Sequence, residues 1–174
     1  MNTVVPRPIL KGRKALVVGI ANQHSIAYGC ARAFREVGAE LAVTYLNDKA
    51  KPHVEPLAEE LQAAMFMPLD VSKPGELESV FARIEREWEH LDILVHSIAF
   101  APKEDLQGEL LNCSANGFLT AMDISCHSFI RMARLAAPLM KDGGTMFAMS
   151  YHGAQRVVPS SAGNGQSSFP GACR

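Results

Sequence analysis

Residues 14–29 read Lys14-Ala15-Leu16-Val17-Val18-Gly19-Ile20-Ala21-Asn22-Gln23-His24-Ser25-Ile26-Ala27-Tyr28-Gly29. The short apolar run Lys14–Gly19 has the length of a buried strand. A polar turn follows, then a helical pattern over Ser25–Val37 that Gly38 stops. Gly19 lets the backbone leave the strand sharply. Ser25 is placed to cap the helix, which would leave N–H groups and the positive dipole end free for a pyrophosphate. Gly29, one turn in, would let the helix pack close to the sheet. No GxGxxG is present, and the same residues also fit an ordinary loop with a Ser cap.

The alternation continues outward from this unit. Glu40–Tyr45 is a second strand and Pro52–Ala64 a helix, separated by a turn at Asn47 and Asp48. Met65–Leu69 is a short third strand. Pro74 opens a helix in which Leu77, Val80, Phe81, Ile84 and Trp88 fall on one face. Leu91–His96 is a fourth strand, Gly117–Met140 a long and mostly apolar helix, and Thr145–Met149 a fifth strand. Strands alternating with helices predict an α/β fold: a doubly wound, Rossmann-like parallel sheet of about five strands with helices on both faces. The sheet is expected to be incomplete, with an unpaired edge beyond the fifth strand. Residues 1–159 form the expected dinucleotide-binding domain, and residues 160–174, rich in Ser, Gly and Ala, an irregular tail.

Composition narrows the classes of function. The chain has 174 residues, a length suited to one domain with a real core. With 48% hydrophobic and 20% charged residues it has a globular make-up, which excludes a disordered tail protein and a disulfide scaffold. Lys and Arg number 17 against 18 Asp and Glu, so no basic excess is there to displace counterions from a nucleic acid. No run approaches the roughly 18 apolar residues of a membrane span. Cys30, Cys113, Cys126 and Cys173 form no CxxC pair and no Cys/His metal spacing, so no metal is expected. The opening MNTVVPRPILKGRK lacks the apolar run of a secretory signal, and a reducing cytoplasm is the expected setting.

In a doubly wound fold ligands bind at the carboxyl ends of the strands, near the switch in strand order. Asp70 closes the third strand and Ser97-Ile98-Ala99 the fourth. Asp70 fits both a bond to an adenine amino group and a plain turn or cap role. Glu40 and Asp48 are the acids nearest the second strand, where NAD folds often place a ribose-binding acid. No Arg stands in the turn after that strand to fork a 2′-phosphate; Lys49 and Lys51 are the only nearby cations.

The segments GIANQHSIAYG, ELAVTYLNDK, LDV, LDILVHSIAFAPK and MSYHGAQRVVP resemble the enoyl-acyl-carrier-protein reductases of the short-chain dehydrogenase/reductase superfamily, from about Leu10 to Pro159. The resemblance implies an NADH-dependent oxidoreductase of fatty acid synthesis that reduces the trans-2 double bond of an enoyl chain on acyl carrier protein. It assigns the pyrophosphate to Gly19, Ser25 and Ile26, with Ala21 lining the same turn. Leu46 would lie beside the adenosine, Asp70 and Val71 would frame the adenine, and Ser97, Ile98 and Ala99 would run past the two riboses. Ala101 would border the acyl pocket, and Tyr151 matches the catalytic-site tyrosine beside the substrate thioester. The family assembles as homotetramers.

The resemblance fails at one point. The family pattern S-Y-x(9)-Y-x(6)-K places a tyrosine at 161 and a lysine at 168, where this chain has Ser161 and Ser168. That tyrosine would stabilise the enolate oxygen and that lysine would hold the nicotinamide ribose. Losing one oxyanion donor typically costs on the order of 10² to 10³ in rate. Three outcomes are therefore set against one another: an enoyl reductase with little or no turnover, a non-catalytic NADH-binding module, and a poorly folding product of a shifted reading frame over Ser160–Arg174. The coding DNA, read in three frames from codon 155, is expected to restore tyrosine at 161 and lysine at 168 in a shifted frame; no such frame would remove the frameshift reading.

Overall fold

The structure, a computed structural model, describes residues 7–106 and 110–150. Tyr151, Ser161, Ser168 and the tail expected over residues 160–174 lie outside them. Residues 7–97 and 133–148 form one compact unit; residues 98–106, 110–132 and 149–150 belong to a second.

The first unit holds a parallel sheet of β1 (Lys14–Val18), β2 (Glu40–Tyr45), β3 (Met65–Pro68), β4 (Ile93–His96) and β5 (Thr145–Ala148). Its order is β3-β2-β1-β4-β5. Leu16 stands opposite Ala42 on one side and Leu94 on the other, so β1 is hydrogen-bonded along both edges. The chain lays down β2 and β3 on one side of β1, then places β4 on the other. This is the expected Rossmann-like arrangement, and its order switches between β1 and β4.

Both faces of β1 are buried, which is why its sequence is a continuous apolar run. Ala15 and Val17 join the core that Ala27, Tyr28 and Ala31 of α1 (Ile26–Glu36) and Val54 and Ala58 of α2 (Lys51–Glu60) cover. Leu16 and Val18 alternate to the opposite face and are 0% and 2% exposed. That face belongs to α3 (Glu76–Trp88). Its Trp88 indole donates to Glu40 Oε1 at 3.2 Å and lies 5.1 Å from the Lys14 ammonium, and Lys14 shares the Leu16 side of the strand. Leu77, Val80, Phe81, Ile84 and Trp88 are all buried, as their helical spacing predicts. The helix starts at Glu76, after a left-handed Gly75, two residues later than Pro74 suggests. Helix α2 ends at Glu60, earlier than Ala64, because Gln62 takes a left-handed backbone and Ala63 N–H closes back on Ala58 O at 2.9 Å.

The amino ends of three strands are tied by one residue. Asp92 N–H donates to Lys14 O at 3.0 Å and its carbonyl accepts from Thr145 N–H at 2.8 Å. Its carboxylate accepts from Arg13 Nη1 at 2.6 Å and from Lys14 N–H at 2.8 Å. These contacts lie at the end of the sheet opposite the strand carboxyl ends. Arg13 and Asp92 also line a mixed-charge recess with His90 and Lys141.

The second unit carries α4 (Lys103–Leu106), α5 (Ala115–Met122) and the start of α6 (Ser128–Ala136). Ser114 caps α5, its hydroxyl accepting from Gly117 N–H at 2.9 Å, so this helix begins two residues before Gly117. The single helix expected over Gly117–Met140 is broken. A five-residue π turn, Asp123–His127, separates α5 from α6, and Ala137–Leu139 tightens into a 3₁₀ turn around Pro138, which has no N–H to continue the α pattern.

Replacing Asp92 by alanine leaves the Lys14 amide without its partner and is expected to lower unfolding free energy by about 1–3 kcal/mol. Asp92→Asn keeps an acceptor oxygen and should lose less; urea midpoints of the two variants check the order.

Candidate functional site

At the carboxyl end of the sheet the chain turns out of β1 at Gly19, whose φ is +105°. A Cβ there would lie 2.0 Å from the Ser97 carbonyl oxygen and 2.6 Å from its carbonyl carbon. Ser97 N–H donates to Val18 O at 2.9 Å. Only glycine lets these two main chains meet, and they meet at the switch in strand order.

From Gly19 the loop buries Ile20, 3% exposed, and leaves Ala21 to His24 exposed. It is tied to itself. Ser25 Oγ accepts from Ala21 N–H at 3.0 Å and from Asn22 N–H at 2.9 Å, and donates to Asn22 O at 2.7 Å. Asn22 Oδ1 accepts from His24 N–H at 2.8 Å, closing an Asx turn. Ser25 is the residue before α1, as expected, but its hydroxyl does not cap the helix, because the loop has already engaged it. Among the described residues the helix terminus is bare: the Ser25 side chain makes no cap bond to α1 and the first turn holds no acid. Unsatisfied N–H groups and the positive dipole end favour an anion there. Ile26, at the head of α1, is 66% exposed.

Gly29 does not do what the sequence suggests. It is exposed, and a Cβ on it would meet nothing within 4 Å. The close packing of α1 on the sheet comes from Ala27 and Ala31, both 0% exposed.

The other strands bring their expected residues to the same end of the sheet. Leu46, directly after β2, is 53% exposed. Asp70 and Val71 follow β3. Asp70 Oδ1 accepts from Ser72 N–H at 3.0 Å and from Ser72 Oγ at 2.6 Å, while its own N–H donates to Glu76 Oε2 at 2.6 Å. Asp70 is thus a turn residue directly after β3, and Val71 next to it is buried. Glu40 stands at the amino end of β2, paired with Lys14 and Trp88, so of the two acids near this strand only Asp48 follows its carboxyl end. Lys51 lies over the Tyr45 ring at 5.9 Å and pairs with Glu55 at 3.8 Å.

His96, the last residue of β4, is 2% exposed, and burial pushes its imidazole below the usual range, with a backbone hydrogen bond opposing. It stands directly before Ser97. Its only signal in the sequence is a histidine ending an apolar strand. Ile98, Ala99 and Ala101 fall in the second unit, where Phe100 N–H donates to Ser125 Oγ at 3.0 Å. Tyr151 lies outside the described residues. Among the described residues no group of three or more His, Cys, Asp or Glu could hold a metal ion, and no helix is long and apolar enough to cross a membrane.

Comparison with known proteins finds relatives both in sequence and in structure. A family model described as enoyl-(acyl carrier protein) reductase matches residues 19–167. The NADH enoyl-acyl-carrier-protein reductase of Haemophilus influenzae is 42% identical over 151 residues, covering 86% of this chain and 58% of the relative. Among solved structures, the Anaplasma phagocytophilum reductase in complex with NAD superposes with a TM-score of 0.88 at 39% identity, covering 97% of this chain and 62% of that one. The Bacillus cereus reductase, solved with NADP+ and an indole naphthyridinone, gives 0.86 at 36% identity, over 94% and 62%. The chain spans a little under three-fifths of the length of the curated relatives it matches.

Two glycines of the same loop and helix should respond in opposite directions. Gly19→Ala is expected to destabilise the fold by more than the roughly 1–2 kcal/mol of a left-handed alanine, because the Ser97 main chain blocks it. Gly29→Ala should stabilise α1 by about 0.5–1 kcal/mol. Thermal unfolding of both variants checks the sign of each.

Proposed function

The chain belongs to the enoyl-(acyl carrier protein) reductase family, and from that premise we propose that it binds NADH across the carboxyl ends of its strands. The observation that carries this is the bare amino end of α1 at the sheet's switch point, reached through a glycine that nothing larger can replace. That geometry fits a pyrophosphate. Residues 1–159 are its nucleotide-binding domain.

Gly19, Ala21, Ser25 and Ile26 form the pyrophosphate turn. Ser25 acts by holding the loop, since its hydroxyl is spent on Ala21 and Asn22. Leu46, Asp70 and Val71 frame the adenosine, and the Asp70 carboxylate, kept in place by Ser72, accepts from the adenine amino group. Ser97, Ile98 and Ala99 follow the riboses. The absence of an arginine after β2 and the engagement of Lys51 favour NADH over NADPH.

NADH supplies a hydride when bound. In the family reaction the acceptor is the β-carbon of an enoyl thioester carried on acyl carrier protein, within fatty acid synthesis, and we place it in the cytoplasm. Ala101 borders the acyl chain and Tyr151 stands beside the thioester carbonyl.

One observation favours a second reading, binding without turnover. Ser161 and Ser168 stand where the family pattern has tyrosine and lysine. A serine hydroxyl is shorter and less acidic than a phenol, and it carries no charge to hold a ribose.

Titration with NADH, followed by its fluorescence, is expected to saturate, with NADPH binding more weakly; no change at millimolar NADH would remove the cofactor reading. With a crotonyl thioester, NADH oxidation should run at least about 10²-fold slower than in a full-length relative. A comparable rate would instead overturn the second reading.

A further inference from the structure

The segment from Ser97 to Pro102 has no regular secondary structure, yet the middle of it is held by a single side chain. Ser125 Oγ accepts from Phe100 N–H at 3.0 Å and donates to Phe100 O at 3.2 Å. One hydroxyl thereby engages both backbone polar groups of Phe100, a residue that is itself 51% exposed. Both residues belong to the second unit.

Ser125 is the third of five residues in the π turn Asp123–His127. Here Ser128 N–H donates back to Asp123 O, five residues away, and Ser128 Oγ donates to Ile124 O at 2.6 Å. Asp123 pairs with His127 Nδ1 at 3.0 Å and with Arg131 at 3.6 Å across the same turn. The turn is therefore pinned by side chains within it and in the first turn of α6. A regular helix from Ala115 onward would carry one residue fewer here and would rotate the following residues by about 100°. Departures of this kind cost hydrogen-bond geometry, and they are found most often where a function needs one side chain aimed elsewhere.

We propose that Ser125 is a positioning residue for the cofactor. It sets the backbone of Ile98–Ala101, and through Ile98 and Ala99 it sets the affinity for the nicotinamide-ribose half of NADH. This rests on the NADH reading above and adds to it a residue outside the cofactor motifs. AMP, which carries only the adenosine end assigned to Leu46, Asp70 and Val71, serves as the internal control.

The test compares NADH and AMP affinities of the wild type, Ser125→Ala, Ser125→Cys and Ser125→Thr, together with hydrogen exchange at the Phe100 amide. Ser125→Ala is expected to weaken NADH about fivefold to tenfold while AMP stays within about twofold. The Phe100 amide should exchange faster in the same variant. Thr keeps the hydroxyl and should restore NADH affinity to within about twofold. Cys keeps the size but bonds weakly and should fall between, which preserves the test should the alanine variant not fold. Equal loss of NADH and AMP, no loss of NADH, or failure of Thr to rescue would overturn the assignment. A wild type that binds NADH while Ser125→Ala is indifferent removes this inference alone, whereas a wild type that binds no NADH removes the cofactor reading and the inference with it.

Discussion

A Cβ on Gly19 would sit 2.0 Å from the Ser97 carbonyl oxygen, so β1 and β4 can leave the sheet side by side only while residue 19 has no side chain. This contact stands where the strand order switches, and it sets what can be built there. With φ at +105° the chain turns away from the sheet within one residue, and Ile20 is driven into the core two positions after Val18. The loop then has only five residues, Ala21 to Ser25, the first four of them exposed, in which to reach the head of α1. A strand whose two edges are already hydrogen-bonded offers no other exit of that economy.

The loop resolves its own polar groups in a way that leaves the helix terminus open. Ser25 Oγ could satisfy amides inside α1 or amides in the loop; it does the latter for Ala21 and Asn22. The desolvation cost of two loop amides is thereby met, and the orphan donors of α1 remain for a ligand. Asp70 follows the same logic. One of its carboxylate oxygens serves Ser72 and fixes the turn after β3, so the group arrives at the strand end already oriented. His96 is buried at this end of the sheet, and burial lowers the pKa of its imidazole.

Much of this architecture was legible in the residues. Period and run length placed five strands and the first three helices to within a few residues, since a parallel sheet covered on both faces demands continuous apolar strands and amphipathic helices between them. Leu77, Val80, Phe81, Ile84 and Trp88 are buried where their spacing puts them. The misreadings share one cause. Gly29 was expected to allow close helix packing, Ser25 to cap α1, and Gly117–Met140 to be one helix. Each expectation assigned a residue its commonest local role. Gly29 faces solvent, Ser25 serves the loop, and the helix opens at Asp123–His127 around hydroxyls that bond its own carbonyl and the Phe100 backbone.

What the amino-acid order alone determined is the strand–helix alternation, the glycine at the end of β1, the family, and the serines at 161 and 168. The alternation follows from periodicity, the glycine from backbone allowance, the two serines from residue type and the family from the resemblance of whole motifs; all are read along the chain. What only the tertiary structure decided is which atom each polar group meets. Asp92 ties three strands from 78 residues away, and Ser125 holds Phe100 across 25. A hydroxyl or carboxylate bonds whichever buried amide the fold brings within about 3 Å, and that distance is set by packing, not by spacing along the chain.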